Sequence, residues 1–486
     1  MSIEPFRIIT FLILSLVIVL SFFYTLKGES DRRNSDDQPK YKPFIQGYML
    51  PVYILILFAF VSLSRGGRST VQWMISIFLG VFISISIYYV LLMVALPFMR
   101  KYINARTCAM MWLLPNYLYF LMYGDYNLPK PSFIIHAPEN LVQIVFSIWL
   151  IGFLGILIWK IIGHLRFRRQ ILKDAVVVSN EEMLNLLQQE ILYARLKKSD
   201  FELVISPSAV TPLSVGLLQL TTVIVLPERN YSEDELTLIF RHEIIHISRS
   251  DAWLKFFMTF CTAMCWFNPL MWMAMRKSAD DMELSCDETV LLDSDEDTRR
   301  RYAKLILFTA GDERGFTTCL SASASALRYR LKNIITPKKR FTGALMIGIA
   351  FFVLCISCGH IALAYEGGTG AEILYHSENF EQYSLMEVTI GNDPYDRIYE
   401  AADEESFHEY MASLPMNELV GEYDHIVDVY RFRIVYDTPN GLIMLNLYDE
   451  WIQIITSYDL SLSSSEYYLP EGVDWEYLNS LLVERQ

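Results

Sequence analysis

A chain of 486 residues that is 53% hydrophobic and only 20% charged, with long apolar runs, is not an ordinary soluble enzyme. Its formal charge of −14 is unevenly spread: residues 366–486 hold 25 Asp and Glu against 4 Arg and no Lys, a net −21 that leaves +7 on the remainder. So acidic a segment excludes nucleic acid and anionic headgroups as its ligands, although solubility alone also explains it.

In chain order, apolar runs predict membrane spans at about 6–26, 47–65, 72–98, 142–163 and 342–365. The first is too long, and lacks the small-residue site, for a cleaved signal. The run 108–123 is apolar but short and holds Pro115. Whether it crosses decides on which side the N-terminus lies, and the sequence leaves that open. Basic residues after the fourth span (Arg166, Arg168, Arg169) and before the last (Lys338, Lys339, Arg340) place residues 164–341 in the cytoplasm and the C-terminus outside. The lipid bilayer is thus the first partner, and the setting is a multi-pass protein of a cell membrane.

Within the cytoplasmic block, residues 181–196 carry helical periodicity, and residues 201–226 read as strands broken by Pro207 and Pro212. Ser232-Glu233-Asp234-Glu235 is a capping box that opens a helix. That helix contains His242-Glu243-Ile244-Ile245-His246. Histidines four apart share one helical face, so both imidazoles reach one zinc ion, and Glu243 lies where a general base takes a proton from water. A tetrahedral catalytic zinc needs a third protein ligand. Glu283 is the candidate, with Asp287 one turn on as the hydrogen-bonding partner of a ligand histidine. A solvated acidic helix face is the plainer reading of that pair.

The apolar run 253–275 is long enough to span, yet His246 and Glu283 flank it. A full crossing would place them on opposite membrane faces. A non-spanning segment that bends near Asn268-Pro269 is therefore expected.

Beyond the last span, Glu366-Gly367-Gly368-Thr369-Gly370 reads as a flexible linker, and the rest as a small α+β domain. A helix is expected over 402–414, a hairpin over 427–448 around Asp437-Thr438-Pro439-Asn440-Gly441, and a third strand over 451–456. None of the seven cysteines lies there, so no disulfide framework holds it. Cys286 and the Cys355/Cys358 pair read as packing.

These motifs together resemble a known family. The HExxH run, Asp251, Asn268-Pro269, and Glu283-x-x-Cys286-Asp287 are similar to the BlaR/MecR-type membrane zinc metallopeptidases, built on the gluzincin plan. So are Thr211-Pro212, Gly216-Leu217-Leu218, Val225-Leu226-Pro227 and the stretch from Ser325 to Leu331. The resemblance covers about residues 140–365. It implies one Zn2+ per chain on His242, His246 and Glu283, with Glu243 as general base and Asp287 behind a ligand. It implies that strand 221–226 lies along the substrate. Leu220 departs from the family, which usually has proline there, and the N-terminal region holds more apolar segments than the four-span plan. The C-terminal domain has no lysine, so neither Ser-x-x-Lys nor Lys-Thr-Gly exists in it, and covalent β-lactam sensing there is excluded.

The fold expected is a multi-span α-helical membrane protein. It has an N-terminal transmembrane region (1–163), a helix-rich gluzincin-like peptidase domain (164–341), a final transmembrane helix (342–365) and an acidic α+β extracytoplasmic domain (366–486). The function expected is a zinc endopeptidase of signal transduction in a bacterial cell membrane. By resemblance it cleaves a winged-helix repressor, itself, or both, in response to an unknown extracytoplasmic ligand, and a homodimer is compatible with it. Constitutive quality control of membrane proteins, or a non-catalytic receptor with a vestigial zinc site, are the alternatives.

Overall fold

The computed structural model describes residues 3–31, 50–65, 67–121, 132–194, 196, 201–217, 221–292, 294–310, 324–337, 340–375, 382–391, 398–420, 430–439, 441–458 and 461–485. Leu218, Leu220, Cys319, Lys338, Lys339 and Asn440 lie outside them.

The N-terminal part is helical: α1 (Ile3–Asp31), α2 (Leu50–Arg65), α3 (Gly67–Met99), α4 (Ala105–Leu113), a 3-10 turn (Leu114–Tyr117), α5 (Leu118–Leu121), strand β1 (Phe133–Ala137) and α6 (Glu139–Leu172). Among the described residues three helices are long and apolar enough to cross a membrane, at Arg7–Thr25, Ile77–Met99 and Glu139–Leu172. Along α6 the side chains of Leu141, Ile144, Ile148, Ile151, Leu154 and Ile158 stand exposed. An apolar surface of that length is stable only against lipid. The other two expected spans form shorter apolar helices, α2 and Ala344–Ser357. Of the run 108–123, the described residues 108–121 form no straight helix. Pro115 is the second residue of the 3-10 turn, and the whole stretch 105–119 except Met110 is buried, packed against α3 and the later helices.

The middle part opens with β2 (Val176–Val177), α7 (Glu181–Tyr193), β3 (Glu202–Ser206), β4 (Leu213–Val215) and β5 (Val223–Pro227). They form a sheet in the order β2-β3-β5-β4, where β3 and β5 are parallel and the other two pairs antiparallel. Four helices follow: α8 (Glu233–Arg249), α9 (Asp251–Met264), α10 (Pro269–Val290) and α11 (Glu296–Ala310), and then α12 (Ala324–Ile335). Apolar faces of the sheet and α8 close one core, with Ile224, Leu226, Ile239, Phe240 and Ile244 all buried.

The expected bend of 253–275 is present. Helix α9 ends at Met264, and Pro269 opens α10 under an Asn268 cap. At 1.5 Å per residue each leg from the site to the bend is about 20 Å long, so the chain returns Glu283 to the level of His246. That is less than the roughly 30 Å of a bilayer core. The bend is held by apolar and polar contacts with membrane helices: Trp266 Nε1 donates to Trp149 O (3.2 Å), and Asn268 Nδ2 to Ser86 Oγ (2.8 Å).

The last part begins with α13 (Ala344–Ser357). It packs along α1, where a Cβ on Gly348 would overlap the Val19 side chain. Buried Arg7 of α1 donates to the carbonyls of Cys355, Ile356 and Cys358, groups that the end of α13 leaves without helical partners. Then come β6 (Ile361–Thr369), α14 (Gly370–Ile373), β7 (Ser384–Ile390), β8 (Ile398–Ala401), α15 (Glu404–Ser413), β9 (Pro415–Val420), β10 (Phe432–Thr438), β11 (Gly441–Leu447), β12 (Trp451–Tyr458), β13 (Ser461–Tyr468), α16 (Trp475–Ser480) and β14 (Leu482–Glu484). The expected hairpin is β10–β11, with Thr438 opposite Gly441 at φ 133°.

Two expectations fail here. The helix expected to run to 365 ends at Ser357, and the expected linker 366–370 lies mostly within β6. Cys358-Gly359, with Gly359 at φ 92°, turns the chain out of the helix, and Ile361–Tyr365 then pair in parallel with β1. An apolar run of that length reads as helix until its partner is known. The sheet is consequently ten-stranded, in the order β1-β6-β9-β13-β12-β11-β10-β7-β8-β14, and its first strand belongs to the loop before α6.

Candidate metal centre

Ser232 caps α8 with its hydroxyl on the Glu235 amide, and the Glu235 carboxylate returns to the Ser232 amide (2.9 Å). The helix so fixed presents His242 and His246 inward and ends at Ser250. This residue sits at φ 58°, left-handed backbone that costs a side-chain-bearing residue about 1–2 kcal/mol. The turn starts α9 at once and swings Asp251 back against His246.

The two histidines and Glu283 of α10 converge. His242 Nε2 and His246 Nε2 are 3.2 Å apart, and Glu283 Oε2 lies 3.5 Å from the first and 3.6 Å from the second. Three atoms about 2.0–2.1 Å from one tetrahedral zinc lie roughly 3.3 Å from each other. This spacing fits the ion that the donor types suggest.

The hydrogen bonds behind the imidazoles fix their tautomers. His246 Nδ1 donates to Asp251 Oδ2 (2.7 Å), which leaves Nε2 with its lone pair for a metal. On the other imidazole, Tyr302 Oη is 2.8 Å from His242 Nδ1 and donates to Asp287 Oδ1 (2.8 Å). A hydroxyl that donates to Asp287 accepts from His242 Nδ1, so Nε2 of His242 is free in the same way. Asp287 is gripped by Arg330 through Nε (2.7 Å) and Nη2 (2.8 Å). Arg330 also stands 3.7 Å from Glu283, and Lys255 Nζ donates to the other Glu283 oxygen (3.3 Å).

Electrostatics follow from this arrangement. Burial disfavours a charged imidazole, but Cys286 and Glu283 outweigh it and push His242 up to about 10. Burial is likewise overcome at His246, raised by Cys286, Glu283 and Asp251. Burial raises Glu283, yet His246 and Lys255 hold it well below the usual carboxylate range. Asp251 is lowered against its burial by His246 and then Arg106. Burial, with Asp287 beside it, keeps the Tyr302 phenol far above its ordinary value. The cluster therefore favours a cation, whether proton or metal ion.

All the expected site residues are in one place: His242, His246 and Glu283 at the convergence, and Glu243 buried on the same helix. Asp287 differs in detail. It is 3.8 Å from His242 Nδ1 and acts through Tyr302, while the carboxylate that bonds a histidine directly is Asp251. Cys286 offers a second donor set, since His242, His246 and Cys286 place ligand atoms within 4.8 Å of one another. Its Sγ, however, faces Nδ1 of His242 (3.4 Å), the nitrogen already bonded to Tyr302, and the His242 carbonyl (3.5 Å). Glu283 Oε2 is the carboxylate oxygen that faces both Nε2 atoms, at 3.5 and 3.6 Å. Sequence reasoning gave Tyr302 and Lys255 no role, because no spacing links either to the motif.

The strand expected to lie along a substrate, 221–226, overlaps β5, which is paired on both sides, with β3 and β4. The edge strand next to α8 is β4, Leu213–Val215.

Residues 126–334 match the family model described as BlaR1 peptidase M56. The regulatory protein BlaR1 of Bacillus licheniformis is 27% identical over 204 residues, 39% of this chain and 32% of that protein. The chain thus matches about a third of that relative's length. With the HExxH helix, the partnered imidazoles and Glu283 in place, residues 126–334 are similar to the BlaR1-type M56 peptidases.

Proposed function

We propose that the protein is a membrane-embedded zinc-dependent endopeptidase acting in signal transduction, built on the gluzincin plan. The observation that carries this reading is the convergence of two Nε2 atoms and Glu283 Oε2 at zinc spacing, with Glu243 buried on the same helix. His242, His246 and Glu283 would hold a zinc ion there, which would supply polarisation of the scissile carbonyl and acidification of water. Glu243 accepts the proton of the attacking water and passes it to the leaving amine. Asp251 and Tyr302 keep both imidazoles in the metal-binding tautomer.

The substrate is a protein segment in extended form. Strand β4, rather than β5, gives its backbone to that segment, because only an edge has unpaired amide and carbonyl groups. A winged-helix repressor, the chain itself, or both supply the segment. The peptidase part, 164–341, faces the cytoplasm, since basic residues flank it. The acidic C-terminal part faces outside and receives the stimulus.

The test compares wild type with Glu243→Gln, purified in detergent, for zinc content and for cleavage of the chain or of a co-expressed repressor. One zinc in both variants and cleavage only by wild type supports the reading. Cleavage that persists in the variant removes Glu243 as base. A wild type that holds no zinc leaves only the receptor alternative.

A further inference from the structure

The family match begins at residue 126, yet the helix that carries Glu283 is held by earlier residues. Arg100 Nη2 bonds both oxygens of Asp281 on α10 (2.6 and 2.7 Å), and Trp112 Nε1 donates to the same carboxylate (2.8 Å). The Ala105 amide, at the start of α4, donates to Glu288 Oε2 (3.0 Å). Asp281 and Glu288 flank Glu283 on the ligand-bearing helix. Segment 100–112 therefore sets where that helix sits.

One residue of this segment reaches past α10 toward a histidine. Asp251 is 1% exposed. Its Oδ2 receives the His246 hydrogen bond, while Oδ1 is buried and accepts no hydrogen bond among the described residues. The guanidinium of Arg106, itself buried, lies 3.7 Å from Oδ1. Arg249, nearby in sequence, bonds Ser285 (3.1 Å) and Thr289 (2.6 Å) and adds a weaker charge effect on Asp251 than Arg106 does. Two carboxylate oxygens thus have divided duties. One orients the imidazole and the other faces a cation supplied from outside the matched region. A buried carboxylate without a counter-charge is costly, and its freedom to rotate or recruit another partner disturbs whatever it orients.

We propose that Arg106 is a positioning residue of the metal centre, acting through Asp251 on His246, and that segment 100–112 is an integral part of the peptidase. This rests on the zinc reading given above. A long-range ion pair behind a ligand partner acts more weakly than the partner itself, whose loss costs about 10–100-fold in metal affinity.

The experiment is a double-mutant cycle read as zinc affinity, by competition with a chromophoric chelator on the full chain in detergent. Arg106→Met is expected to weaken zinc by about 3–10-fold in the native background and by less than about twofold in the Asp251→Asn background. Arg106→Lys is expected to recover part of the loss. Equal losses in both backgrounds, or none in the native one, overturn the proposal. If Arg106→Met does not fold, Arg106→Lys carries the test, with a smaller loss that must again vanish beside Asp251→Asn. A wild type without zinc overturns the peptidase reading itself. Zinc binding with an additive cycle overturns only the role of Arg106.

Discussion

Two histidine environments in this molecule contrast sharply. His242 and His246 are part-buried among carboxylates and a thiol, and their affinity for a proton rises despite desolvation. His408, on α15, is buried, but its neighbours are phenols. Tyr375 Oη is 3.0 Å from its Nδ1, and the Tyr436 ring stacks on it. There burial wins and lowers its proton affinity, with Glu404 and the Tyr383 backbone opposing only in part. Burial alone therefore makes a neutral histidine. Anionic neighbours turn the same side chain into part of a cation site.

The contrast can be broken most strongly at the chemistry itself. Glu243→Gln is expected to cut cleavage by about 10²–10⁴-fold and leave zinc content unchanged, checked by metal analysis beside a cleavage assay. Next in size is Arg330→Met. It strands the Asp287 carboxylate in the interior, and a loss of about 3–5 kcal/mol is expected in the unfolding of the peptidase region, followed by denaturant titration. Tyr302→Phe keeps the ring but removes the relay between His242 and Asp287. Zinc affinity is expected to fall about tenfold, measured by chelator competition, with little change in stability. An unaltered affinity would mean that His242 keeps its tautomer without Tyr302.

The phenolic side of the contrast is tested by pH. The folded form holds His408 below the unfolded value of about 6.5. The unfolded chain then binds more protons, so this contribution is complete above about pH 6.5 and declines as pH falls toward the folded pKa. Protection factors in α15 and β10, corrected for the intrinsic exchange rate at each pH, are expected to fall between pH 7 and pH 5 in wild type. The same change should be much smaller in His408→Phe. The smallest effect is at the turn that delivers Asp251: Ser250→Gly removes the left-handed strain and is expected to stabilise α8–α9 by up to about 1 kcal/mol, seen as slower local exchange.

Much of the site was legible because it is local. A capping box, a four-residue spacing and a glutamate between histidines are statements about one helix, and α8 carries them out. The bend at Asn268-Pro269 was legible for a related reason. Proline cannot continue a helix, and both ligand-bearing helices must meet. What was hidden is non-local. Ile361–Tyr365 reads as the end of a membrane helix until β1 arrives from more than two hundred residues upstream to pair with it. The same holds for β5, where a strand just before the metal helix suggests a substrate ledge, yet β4 covers its edge.

The sequence by itself pointed to the donor side chains of the candidate site, to the glutamate between its histidines and to the membrane setting, and it excluded an acylatable serine from the acidic domain, since each depends on residue identity or short spacing. Only the tertiary structure decided that Tyr302 and Arg330 stand between Asp287 and the metal centre, that Asp251 partners His246, and that Arg106 reaches it from outside the matched region. Those roles depend on which helices pack together, and side chains far apart in sequence share a carboxylate only after that packing is set.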